Sequence, residues 1–183
     1  AVLTGLTLTN GYTTITGGGG IRIENSSPRL KNLKILNSTA NIGGGGISCE
    51  ACDSRITDVV ISNNSVTGIG GGMRVFNGSN PELIGVSISN NTSTSNGGGI
   101  AYEGLPASTI NQRLHRVTIS NNTSTEGVGG GIYLYSSIAS VTRSLVQDNA
   151  ASLKGGGMSI EWASELMLEN SFVSGNTLTN GVQ

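Results

Sequence analysis

The amino-acid sequence predicts an all-β solenoid, one chain wound into stacked coils of parallel strands. Three observations predict it. An apolar-x-x-apolar-x-apolar pattern recurs seven times, a glycine triplet stands between successive copies, and a polar residue, most often Asn, follows each copy at a constant offset. A repeat with a fixed period in the range of 20 to 50 residues is the sequence signature of such stacks.

The pattern runs Leu3/Leu6/Leu8, Leu30/Leu33/Ile35, Ile56/Val59/Ile61, Leu83/Val86/Ile88, Leu114/Val117/Ile119, Val141/Ser144/Val146 and Leu168/Ser171/Val173. Its first members lie 27, 26, 27, 31, 27 and 27 residues apart. This predicts about seven coils of 26–27 residues, one of them longer, in a rod of roughly 34 Å if coils stack about 4.8 Å apart. The excess in the longer coil includes Gly104-Leu105-Pro106-Ala107-Ser108-Thr109, read as a loop leaving the wall of the rod.

After each glycine triplet comes an apolar residue: Ile21, Ile47, Met73, Ile100, Ile132 and Met158. Two positions on stand Ile23, Cys49, Val75, Tyr102, Leu134 and Ile160. Alternation over so short a run means a strand with one face inward. Glycine triplets in register argue against helix, where each Gly costs about 1 kcal/mol relative to Ala, and suit a tight turn. A leucine-rich repeat shares the strand signature but needs a second apolar segment after the Asn. Here that segment is Thr92-Ser93-Thr94-Ser95-Asn96, which has nothing to bury.

Asn64, Asn91, Asn122, Asn149 and Asn176 occupy the constant offset, with Gly11 and Ser38 in their place in the first two coils. Stacked side-chain amides can hydrogen-bond from layer to layer, so this column is expected to be structural. Asn also tolerates the left-handed backbone that a corner requires, and the same column is expected to supply it.

Gly-Gly-Gly-Ile/Met paired with Ile-Ser-x-Asn resembles the repeats of right-handed parallel β-helix proteins of bacterial surfaces. In style it is similar to the GGA[I/L]/FxxN repeats of polymorphic outer-membrane autotransporters and to secreted β-helix adhesins. Where that motif has Phe this chain has Ile or Val, as at Ile61 and Ile88. The resemblance covers essentially the whole chain and implies a right-handed, single-stranded parallel β-helix, the hand that parallel crossovers favour. Residues 1–183 are read as one such segment, a piece of a longer array, because Ala1-Val2-Leu3 already lies inside a repeat.

Composition excludes several function classes. The net charge is −1, only 11% of residues are charged and 4% are aromatic, so neither a basic stripe nor a stacking platform for nucleic acid is expected. No apolar run has membrane-spanning length. No phosphate loop, nucleophile elbow or calcium nonapeptide is present, and no cofactor is expected.

Two outward columns on the glycine-led strand carry the polar chemistry. Arg22, Ser48, Arg74, Ala101, Tyr133 and Ser159 form one; Glu24, Glu50, Phe76, Glu103, Tyr135 and Glu161 form the other. Stacking would set Glu24 beside Glu50, close enough for paired-carboxylate chemistry, although a solvated Glu/Arg wall is the commoner outcome. Phe76, Tyr133, Tyr135 and nearby Trp162 could stack on sugar rings. Glu24, Glu50, Arg74, Phe76, Glu103, Tyr133, Tyr135 and Glu161 are therefore the candidate ligand-binding residues.

Cys49 and Cys52 offer too few ligands for a metal site. They read as a local disulfide outside the cell, with a buried free thiol at Cys49 as the alternative. His115, the one histidine, reads as a surface side chain. Asn-x-Ser/Thr sequons occur at Asn25, Asn37, Asn63, Asn77, Asn90, Asn91, Asn121 and Asn122.

The expectation is a non-catalytic extracellular or cell-surface β-helix, part of a stalk, adhesin or filament. Its partners would be carbohydrate or a host or neighbouring cell surface, with end-to-end contact to further repeats or identical subunits. The alternative is a polysaccharide-binding or polysaccharide-cleaving module using Glu24, Glu50, Arg74 and Glu103.

Overall fold

The computed structural model describes residues 1–104 and 111–180; most of the expected loop, positions 105–109, lies outside the described residues. Six coils contribute four short strands each and the last contributes three among the described residues, and strands of neighbouring coils pair in parallel. In the third coil these are Arg55–Thr57, Val60–Ser62, Ser65–Val66 and Met73–Phe76, which belong to walls we call A, B, C and D. Walls A, B and C hold seven strands and wall D six. All described regular structure is strand.

The register follows the apolar pattern. Ile61 pairs with Ile35 and Ile88, and Leu83 with Ile56 and Leu114, so like side chains lie one above another. These columns turn inward and are sealed: Ile35, Ile47, Ile56, Ile61, Leu83, Ile88 and Ile100 have no exposed surface. Each contributes about 1.5–3 kcal/mol relative to an exposed side chain.

Wall C is what the apolar pattern does not announce. Its strands have two residues, and from the second coil to the sixth its inward positions are small, Ala40, Val66, Ser93, Ser124 and Ala151, with Leu178 after them. The glycine-led turn runs directly against the backbone that opens this wall, and that is why the turn needs glycine. A Cβ added to Gly45 would stand 2.6 Å from the Ser65 carbonyl oxygen, and one added to Gly46 would stand 2.8 Å from Ile61 and 3.0 Å from the Asn64 amide. The first glycine of the triplet, Gly44, has a different reason, a φ of +66°.

The asparagine ladder runs unbroken from Asn64 to Asn176. The Asn91 Oδ1 accepts from the Asn64 backbone N–H (2.9 Å) and from the Asn64 side-chain amide (3.0 Å). In turn the Asn91 Nδ2 donates to the Ile61 carbonyl and to Asn122 Oδ1, both at 3.0 Å. Ser38 continues the ladder in the second coil by donating its N–H to Asn64 Oδ1.

One expectation is corrected. The left-handed backbone at this corner falls on the residue before the ladder, at Asn10, Asn37, Asn63, Asn90, Asn121, Asp148 and Gly175. The ladder asparagine is freed from that duty because its side chain must point into the tube. Burial also removes Asn91 and Asn122 as glycosylation acceptors in the folded chain, since both are fully enclosed.

Candidate functional site

Wall D presents the two outward columns in the expected register. Glu24, Glu50, Phe76, Glu103, Tyr135 and Glu161 stack in one, and Arg22, Ser48, Arg74, Ala101, Tyr133 and Ser159 in the other. At one end the charged side chains are tied to each other. The Arg22 Nη2 donates to Glu24 Oε2 and to Glu50 Oε2, each at 3.0 Å, and Asn77 Nδ2 donates to Glu50 Oε1 at 2.8 Å. Arg74 ion-pairs with Glu103 and lays its guanidinium 4.3 Å from the centre of the Phe76 ring. Glu24 and Glu50 thus bracket a guanidinium. A carboxylate pair poised for acid/base work on a glycosidic bond must instead leave room for the sugar and water between them.

The other end is aromatic. The Tyr135 ring lies 6.3 Å from Tyr133 and 5.9 Å from Trp162, centroid to centroid. Trp162 is 70% exposed and, like Ala163 after it, has a positive φ. That backbone carries the indole off the end of its strand and into solvent. Glu161 accepts from the Ser159 hydroxyl at 3.2 Å.

The structure withdraws Tyr133 from this surface. Ile69 and Val128, on the shoulder of the C-to-D turn, fold over the outside of wall D and pack with Ala101, Tyr133 and Tyr135 in a second small apolar cluster outside the tube. Tyr133 keeps only 5% of its surface, and Ser48 and Ala101 keep even less. Burial, with Glu161 and Glu103 nearby, pushes the Tyr133 hydroxyl up to about 12. Tyr102, inside the tube, is raised further by burial alone. The signal for this cover was present in the sequence as an apolar residue just before two of the glycine triplets. Asn77, a corner residue with positive φ that holds Glu50, carried no such signal.

Cys49 and Cys52 are joined by a disulfide at the D-to-A corner, with Cα atoms 5.6 Å apart. Ala51 between them has a φ of +46°. His115 is half-buried and shares a hydrogen bond with Thr142 through Nδ1 at 2.9 Å.

A four-walled parallel solenoid with a sealed aliphatic interior, an asparagine ladder and a polar, aromatic outer wall defines a β-helix. Residues 4–183 match the family model described as right handed beta helix region, and the chain belongs to that family. Searches of curated proteins and of solved structures return no significant match.

Proposed function

We propose that this chain is a non-catalytic β-helix segment of an extracellular or cell-surface stalk, adhesin or filament, which displays wall D to a partner. The observation that carries this reading is the engagement of Glu24, Glu50 and Glu103 by Arg22, Arg74 and Asn77. A wall of mutually paired charges is stable and passive. End-to-end contact with further coils or identical copies is part of this reading. The test is turnover: incubation with acidic polysaccharides should release no new sugar ends. Release that disappears on Glu50→Gln overturns the non-catalytic reading.

The second reading is carbohydrate binding, and one observation favours it. Tyr135 and exposed Trp162 form a tilted aromatic pair beside Glu161 and Glu103, a surface on which a sugar ring can stack. Titration with oligosaccharides should quench Trp162 fluorescence, and Trp162→Ala should abolish binding. Binding that survives Trp162→Ala removes the aromatic pair from the reading.

A further inference from the structure

The corners joining wall A to B and wall B to C all use a left-handed backbone, seven positions in each column. Twelve of those fourteen are Gly, Asn or Asp, the residues that accept this conformation most readily. The exceptions are Arg116, with φ +54°, and Arg143, with φ +51°. They are stacked in the same column of neighbouring coils. Residues held against their backbone preference persist where surrounding structure over-determines them, and such residues cluster at functional sites.

The surroundings here do over-determine them. In this corner the position after the left-handed residue is Leu33, Val59, Val86 and Val117 in four successive coils, then Ser144 and Ser171. The Val117 N–H donates to Ser144 Oγ at 2.9 Å, and the Ser144 N–H donates to Ser171 Oγ at 3.0 Å. Both hydroxyls donate back across their own corner, to the Thr142 carbonyl (2.8 Å) and the Glu169 carbonyl (2.9 Å). The backbone N–H groups of Arg116 and Arg143 are themselves bound to Thr142 and Glu169 of the next coil. The corner is clamped where the arginines stand.

The two arginines leave the same corner in neighbouring coils, and both are exposed, so their positive charges stand on one side of the rod. Among the described residues the five ion pairs use Arg22, Arg55, Arg74 and Arg113, and none uses Arg116 or Arg143. Glu82, farther along wall A, is held between Arg55 and Arg113; Glu169, the acid that adjoins this corner, is in none of the five ion pairs. Arg116, Arg143 and Asn170 form one side of an open groove of about 460 Å³, and Thr118, Leu145 and Phe172 form the other. Phe172 is 74% exposed.

We propose that this groove binds a sugar ring bearing a sulfate or phosphate ester. The two arginine forks hold the tetrahedral oxyanion, for which planar paired donors are suited, and the apolar body of the ring lies on Leu145 and Phe172. The site stands on a different face from wall D and does not depend on the reading given for that wall.

Calorimetric titration with a monosaccharide sulfate ester, the matching phosphate ester, the unsubstituted sugar and inorganic sulfate tests the proposal. One or both esters should bind saturably and at least tenfold more tightly than the unsubstituted sugar; which ester binds better identifies the source. The double variant R116N/R143N should lose at least tenfold in ester affinity while melting at a higher temperature, because Asn suits the left-handed corner better than Arg. Trp162→Ala should leave ester binding unchanged. No saturable binding of either ester, or binding retained within twofold in R116N/R143N, overturns the site. Inorganic sulfate binding as tightly as the esters overturns the role of Phe172 and Leu145, and a lowered melting temperature in the double variant overturns the strain argument.

Discussion

Removing one rung of the asparagine ladder isolates what the ladder contributes. In Asn91→Ala the Asn64 backbone N–H loses its acceptor inside a fully buried corner, as does one hydrogen of the Asn64 amide. The Ile61 carbonyl and Asn122 Oδ1 each lose a donor. An orphaned buried N–H costs about 1–3 kcal/mol and each further lost bond about 0.5–1.5 kcal/mol, so the expected destabilisation is about 3–5 kcal/mol. Urea unfolding followed by circular dichroism gives the measurement. Asn91→Ser supplies an internal scale, since the second coil uses Ser38 at this position with its hydroxyl accepting from Gly11 and donating to Leu36; it should cost about half as much. The pair Asn91→Ala and Asn122→Ala should cost less together than the sum, because Asn122 Oδ1 serves both the backbone and side chain of Asn91. A loss below about 1 kcal/mol for Asn91→Ala refutes the reasoning, as it would mean that the strand ladders alone hold the corner.

Three further outcomes are expected. Gly45→Ala, whose Cβ meets the Ser65 and Gly71 carbonyl oxygens, should destabilise by more than about 3 kcal/mol, whereas Gly78→Ala, with open space but φ +73°, should cost only about 1–2 kcal/mol in the same urea assay. Reduction of the Cys49–Cys52 disulfide should lower stability by about 2 kcal/mol, the loop-closure value for so short a ring; an unchanged urea midpoint with reductant present refutes it. Because Tyr133 and Tyr102 have raised hydroxyl pKa values, the unfolded chain releases protons above about pH 10 that the native chain keeps, so stability should fall with rising pH through the window up to about 12, and Tyr133→Phe should lessen that slope.

Much of the architecture was legible because inward positions obey one rule per wall. Leu83, Val86 and Ile88 recur at fixed offsets and give the register of walls A and B, and the glycine-led Ile100 and Tyr102 give that of wall D. Wall C was not legible as a wall. Ser93 and Ser124 are inward but polar and the strands have two residues each, so a hydrophobicity pattern has one position per coil to register and finds serine there in two coils. The candidate site was legible as two columns but not as a surface. Period-two alternation tells which side of a strand a residue faces, yet it cannot tell whether a neighbouring turn folds over the outside, which is what Ile69 and Val128 do to Tyr133.

Function in such a rod should be sought at positions that the fold constrains. Inward positions are constrained by the tube, and left-handed corners are constrained by backbone preference; outward strand positions are nearly free. An unusual residue at a free position therefore says little, which is why Glu24 beside Glu50 does not by itself argue for chemistry. An unusual residue at a constrained position says more, because the fold would be more stable without it. Arg116, Arg143 and Trp162, like Ala51, Ser136 and Ala163, hold positive φ where Gly or Asn would serve the backbone better; of these six, the two arginines and the tryptophan project large side chains suited to ligands. They stand on two different faces, so two surfaces of the rod, the A-to-B corner and the end of wall D, depart from what stability alone would select.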